Sequence, residues 1–354
     1  GQIPFQQQKW GDALPLLLPL AAKNSPDPFF AQAGCMAGIA CYHLGQWDAA
    51  MQHLDRFVSQ QPKDPQADTA LFTVALACKE RTDTEGAVAR LKKLTAEYPA
   101  SLQRPHALTE LGRLQLQAKQ YAPARQALTE ASQLAKNDPP APQPEYYLGW
   151  VAAAETKPEE AAQHFAAVAD RFPKHALAAD ARLQQATLLL QKDKFAPAQA
   201  ALEQFIRDYP SDARLDQAQF HLGITHTRRK QWEQALAPLQ NVIQRQPPSD
   251  LAARALYELA WSAKELKRAD EAAKYYHDLL AGFAASELAG PAAFELAELE
   301  FQSGKHDAVI ARLGPLIANT SDAGLKNRAL YRLAWSLFAK ENYAAAAATF
   351  ESVL

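Results

Sequence analysis

Between Glu145 and Pro173 the apolar residues recur with the period of two short helices folded back on each other. Leu148-Gly149 opens the pattern, Ala161 and Phe165 continue it, and Pro173 ends it. Small residues at Gly149 and Ala161 allow two helix backbones to approach closely, while Leu148 and Phe165 fill the space around that contact. Pro158 suits the first position of the second helix, and Glu159 and Glu160 suit the positive end of its dipole. The segment predicts one helical hairpin.

That hairpin repeats. Steps of 37 residues from Ala161 meet Ala13, Ala50, Ala87, Ala124, Ala198, Ala235, Ala272, Val309 and Ala346. Twelve residues before each position stands glycine or alanine, from Gly1 and Gly38 to Ala297 and Ala334. Four residues after it stands a large apolar residue, from Leu17 and Leu54 to Leu313 and Phe350. Three coupled columns in one register predict an array of antiparallel helix pairs. Complete hairpins are expected at 29–61, 65–97, 104–136, 143–171, 176–208, 213–245, 250–282, 288–318 and 325–354, after a helix at 9–23.

The columns, together with Leu111-Gly112, Leu148-Gly149, Leu222-Gly223 and the prolines Pro62, Pro99, Pro173, Pro210 and Pro247, resemble the tetratricopeptide repeat over the whole chain. The resemblance implies an all-α, right-handed superhelical solenoid, about nine repeats plus a truncated one. The usual period of that family is about 34 residues. Here the spacing from the glycine column through the alanine column to proline is ordinary. Three extra residues therefore belong to a longer helix or to a longer connection between hairpins.

The chain is read as a single solenoid over 1–354 that begins and ends in mid-repeat, as a window of a longer protein would. Neither end shows a polar cap. Leu14, Leu17, Leu18, Phe350 and Leu354 are therefore expected to expose apolar faces and to promote self-association. The proline-rich connection at 137–144 is expected to be extended.

Composition narrows the function. A formal charge of −2, with no basic stripe beyond Arg228-Arg229-Lys230 in a turn, argues against a nucleic-acid surface. No apolar run is long enough to span a bilayer. Cys35, Cys41 and Cys78 have spacings unsuited to a disulfide and read as small core residues. His221 and His226 are five apart on one helix, a poor spacing for a shared metal. There is no phosphate-binding glycine loop, His-Glu-x-x-His or Gly-x-Ser-x-Gly motif. The expectation is a protein without catalytic residues, metal or cofactor.

In tetratricopeptide solenoids the first helix of each pair lines a concave groove, and the resemblance places groove residues fifteen and eleven positions before the alanine column. Those columns contain Tyr146, Phe220, Tyr257, Phe294 and Tyr331, and one turn later Trp150, Trp261 and Trp335. Arg254 and Arg328 stand one turn before two of the tyrosines. Two readings stand at this point: aromatic packing between helices, or a groove for an extended or helical peptide with apolar and some acidic side chains. The lysines and asparagines with which the family's carboxylate-clamp members grip a C-terminus are missing from these columns.

The segments EYPASLQRPHALTELG, RFPKHALAADARLQQA and DYPSDARLDQAQFHLG, with the longer period, resemble the bacterial envelope branch of the family: the outer-membrane-barrel assembly lipoprotein and the periplasmic Tol-Pal coordinator. This implies a protein-binding scaffold in a periplasmic or outer-membrane-associated assembly. The alternative is a regulatory or substrate-recruiting arm of a larger enzyme or secretion machine, which would allow a cytoplasmic setting.

Overall fold

A computed structural model of the chain describes residues 1–23, 27–135, 142–245 and 248–353. Among them there is no β-strand, and helices follow in pairs. The pairs are α1 (Gln2–Gln6) with α2 (Trp10–Ala21), α3 (Pro28–His43) with α4 (Trp47–Gln60), α5 (Ala67–Glu80) with α6 (Thr84–Glu97), α7 (Arg104–Gln117) with α8 (Tyr121–Ala135), and α9 (Pro142–Ala154) with α10 (Pro158–Arg171). They continue with α11 (Ala178–Gln191) and α12 (Phe195–Asp208), α13 (Leu215–Arg228) and α14 (Trp232–Ile243), α15 (Ala252–Glu265) and α16 (Ala269–Gly282), α17 (Ala289–Gln302) and α18 (His306–Asn319), and α19 (Ala323–Ala339) and α20 (Tyr343–Glu351). The array divides into two compact units, Gly1–Ala181 and Arg182–Leu354.

The repeat length has a simple anatomy. Helices α5 and α6 have 14 residues each. A three-residue turn joins them, and a six-residue connection leads from α6 to α7, which completes 37. The six-residue connections are built alike, each as two successive turns. Asp64 N–H donates to the Gln61 carbonyl and Ala67 N–H to that of Asp64; Ser101 and Arg104, His175 and Ala178, and Asp212 and Leu215 repeat the pair. The connection therefore holds the residues by which this repeat exceeds the usual one.

Within each hairpin the glycine column meets the large residue sixteen positions on. A Cβ added to Gly112 would lie 2.5 Å from Leu128 Cγ, and one on Gly223 would lie 2.4 Å from Leu239 Cγ. All ten alanine-column residues, Val309 included, are buried. Each inner turn also carries a left-handed residue, at Gln8, Gly45, Thr82, Lys119, Thr156, Asp193, Lys230, Lys267, Gly304 and Glu341. The next N–H reaches back five residues, as Asp83 to the Cys78 carbonyl at 2.8 Å and Gln231 to that of His226 at 2.9 Å. This closes the first helix of the pair in a Schellman-type cap.

Two expectations change. Leu14 and Leu17 are buried, packed with Ala33, Ala37 and Ala40 of α3; their apolar face is covered because those small residues let α3 close over it. Leu16 and Leu18, on the other side of α2, are exposed. Of the segment expected to be extended, residues 137–141 lie outside the described residues, while Pro142–Pro144 form the first turn of α9. Proline is tolerated there because first-turn N–H groups have no helical acceptor. Phe195 and Trp232, each the first residue of the second helix of its pair, line surface clefts.

The three cysteines are free and buried. Burial, with the charge of Asp64 adding to it, pushes the Cys35 thiol up to about 12, so it stays protonated.

Candidate functional site

The ten groove residues expected from the sequence fall into both units. In the first, Tyr146 and Trp150 of α9 stand edge-on to the buried Phe165 ring, at 5.5 and 5.4 Å between centroids. The Tyr146 hydroxyl donates to Asp180 Oδ2 at 2.5 Å. Burial, then this hydrogen bond, pushes that hydroxyl up to about 12. Both rings are half-buried, so here packing within the hairpin takes up much of their surface.

The other eight residues lie in the second unit, on α13, α15, α17 and α19. Phe220 and Phe294 are buried, and each is capped by an arginine from the next first helix. The Arg254 guanidinium lies 5.0 Å from the Phe220 ring centroid, and that of Arg328 lies 4.7 Å from the Phe294 centroid. Tyr257 is half-buried against Tyr276 at 5.8 Å. The half-buried Trp261 carries the Lys264 ammonium 5.1 Å from its ring. Tyr331 and Trp335 are 48% and 40% exposed, and both stand edge-on to Phe350.

Three clefts run along these helices. One of about 570 Å³ lies between Thr187, Phe195, Phe220, His221, Arg254 and Glu258. A second, of about 330 Å³, is walled by Trp232, Tyr257 and Trp261, and it shares Arg228 and Glu258 with the first. The two therefore adjoin, with Arg228 and Glu258 between them. The third, of about 460 Å³, opens between Lys264, Phe294, Asn327, Arg328 and Tyr331. Volumes of this size suit a few side chains each.

Charge along the clefts is unevenly paired. Lys264 meets Glu295 at 2.5 Å, and Arg332 grips Glu298 through two nitrogens at 2.5 and 2.8 Å. Burial raises the Glu258 carboxyl above its ordinary value, against the opposing pull of Arg228, Arg254 and a hydrogen bond from Thr227. Among the described residues Arg254 and Arg328 have no carboxylate within ion-pair distance. The stack on phenylalanine holds each guanidinium in place and leaves its N–H fork open.

Several lining residues fall outside the two columns from which the groove was expected. Glu258 and Glu295 lie one position after the first column, and Lys264 lies three after the second. The same 37-residue register contains them, and charge recurring at those positions was the available signal. His226, by contrast, is buried with Nδ1 3.0 Å from Gln231 Oε1. Among the described residues no three His, Cys, Asp or Glu side chains are grouped to hold a metal ion. No described helix is long and apolar enough to cross a membrane.

The YfiO family model, described as an outer membrane lipoprotein, matches residues 139–323. A tetratricopeptide-repeat model matches 328–354, and the N-terminal domain model of the type VII, ESX-1 secretion system protein EccA1 matches 1–117. No curated protein matches the chain in sequence. Among solved structures, the C-terminal part of a tetratricopeptide protein from Cytophaga hutchinsonii aligns with a TM-score of 0.59 at 17% identity, over 72% of this chain and 97% of that one. The PilF protein of Pseudomonas aeruginosa aligns with a TM-score of 0.41 at 20% identity, over 72% and 93%. YrrB, titled a tetratricopeptide protein with an unusual peptide-binding site, aligns with 0.45 at 19%, over 61% and 97%.

Proposed function

The chain belongs to the YfiO family of outer membrane lipoproteins, within the tetratricopeptide solenoids, and from that premise we propose that it is a non-catalytic scaffold holding a peptide segment of a partner protein in the second unit's groove. The observation that carries this reading is the set of half-exposed aromatics and open arginines on α15 and α19, beside the buried Phe220 of α13 and Phe294 of α17, where adjoining clefts offer room for side chains. Large aromatic rings bury much area at small entropic cost, and unpaired guanidinium groups reward an oriented acceptor. The family supports a place in a periplasmic or outer-membrane-associated assembly. The match of residues 1–117 to the EccA1 domain favours a second reading, in which the chain is the recruiting arm of a secretion machine on the cytoplasmic side.

Selection from a random peptide library displayed on phage, with the whole chain as bait, tests the groove. Selected peptides should bind the Trp261→Ala and Trp335→Ala variants at least about tenfold more weakly than the parent, while the variants keep the parent's helical circular dichroism. Peptides that bind both variants as tightly as the parent would place the binding surface elsewhere.

A further inference from the structure

The geometry points to a definite register for the partner: an extended segment with two carboxylate side chains about five or six residues apart and apolar side chains between them, one carboxylate on Arg254 and the other on Arg328. This deepens the groove reading and rests on it.

Arg254 and Arg328 occupy the same position of two repeats separated by one, and each caps the aromatic ring of the preceding first helix. Contact with the ring restrains each guanidinium, so less side-chain freedom is lost when a carboxylate arrives, and the fork geometry favours a bidentate acceptor. The intervening first helix, α17, has Pro291 at the equivalent position and so offers no third cation. On the intervening surface Glu295 is held by Lys264 and Glu298 by Arg332, while Glu258, one turn from Arg254, lies under the pull of Arg228 and Arg254. A ligand carboxylate therefore finds Arg254 and Arg328 open, with Tyr257 and Trp261 one and two turns along α15 from the first of them.

Spacing follows from helix packing. Neighbouring helices lie about 8–10 Å apart, so two such steps from α15 to α19 separate the arginines by roughly 16–20 Å. An extended chain advances about 3.3 Å per residue, which gives about five or six residues. A helical ligand, rising about 1.5 Å per residue, would need more than ten. A strand-like segment of a protein partner spans the two arginines with about half as many ordered residues as a helix, at lower entropic cost, and is the occupant.

Fluorescence anisotropy with labelled synthetic peptides tests this on the whole chain. The reference peptide carries two glutamates six positions apart with leucine and phenylalanine between. One control has glutamines in their place, and another has the glutamates two positions apart. Arg254→Gln and Arg328→Gln should each weaken the reference peptide about tenfold and leave the glutamine peptide unchanged. The closely spaced peptide should respond to one of the two substitutions and not to both. Equal binding of the glutamate and glutamine peptides, or indifference of the reference peptide to both substitutions, overturns the register. If the glutamine peptide still loses affinity in Trp261→Ala, the groove itself survives that result. If no peptide responds to Trp261→Ala, the groove reading fails with it.

Discussion

A Cβ atom on Gly149 would lie 2.8 Å from Cε1 of Phe165. The Phe165 ring is fully buried, with Tyr146 and Trp150 both standing against it, so it has nowhere to move. This contact sets how closely α9 and α10 approach. Gly149→Ala should destabilise the first unit by about 2 kcal/mol through overpacking. Gly34→Ala is the matched control: nothing lies within 4 Å of its Cβ site in α3, so it should gain about 0.5–1 kcal/mol. Urea unfolding of the two variants checks both signs, and a neutral Gly149→Ala would show that the helix pair is not held by this contact.

The inner turns store strain of a different kind. Thr156 holds φ at 61°, in the left-handed region, where glycine stands in the equivalent Gly45 and Gly304. A β-branched side chain is costly there. Thr156→Gly should stabilise the chain by about 0.5–1 kcal/mol, read from the shift of the urea midpoint. A loss of stability would mean that the threonine side chain contributes more than its backbone costs.

Tyr276 is fully buried, and its hydroxyl has no hydrogen-bond partner among the described residues. Its ring fills the large-residue column against Tyr257. Tyr276→Phe keeps the ring and removes the unpaired oxygen, so the second unit should gain about 1 kcal/mol. Thermal unfolding checks this, and an equal loss would reveal a buried partner for the hydroxyl.

Acid should weaken the fold through two histidines. His53 and His221 are each held below the ordinary histidine value, first by burial and then by the charges of Arg56 and Arg254 respectively. The unfolded chain therefore takes up protons first, at about pH 6.5, and the stability these groups contribute above that value is lost as pH falls toward their folded values. Melting temperature should drop between about pH 7 and pH 5. The His53→Leu, His221→Leu double variant should show a shallower slope, and an unchanged slope would assign the acid sensitivity to other groups.

The helix pairs were legible because a single physical requirement, close backbone contact, writes glycine or alanine at one position and a large residue sixteen later, ten times over. The left-handed turn was not legible in the same way. Its ten positions hold glutamine, threonine, lysine, aspartate, glutamate and two glycines, because a backbone hydrogen bond rather than residue type sets the conformation. Phe220, Tyr257, Phe294 and Tyr331 were placed correctly on first helices, yet how much of each ring stays open depends on its neighbours. Phe294 disappears under Arg328, whereas Tyr331 is left half-exposed. The covering of Leu14 and Leu17 by α3 likewise depended on small residues two dozen positions away.

Amide hydrogen exchange of the second unit, with and without the double-glutamate peptide, tests the groove most directly. If the peptide lies in the groove, it should slow exchange on α13, α15, α17 and α19, where Phe220, Trp261, Phe294 and Trp335 stand, and leave α16 and α18 unchanged. Protection confined to α14, α16 and α18, or the same pattern in a Trp261→Ala, Trp335→Ala variant at equal peptide concentration, would contradict the account.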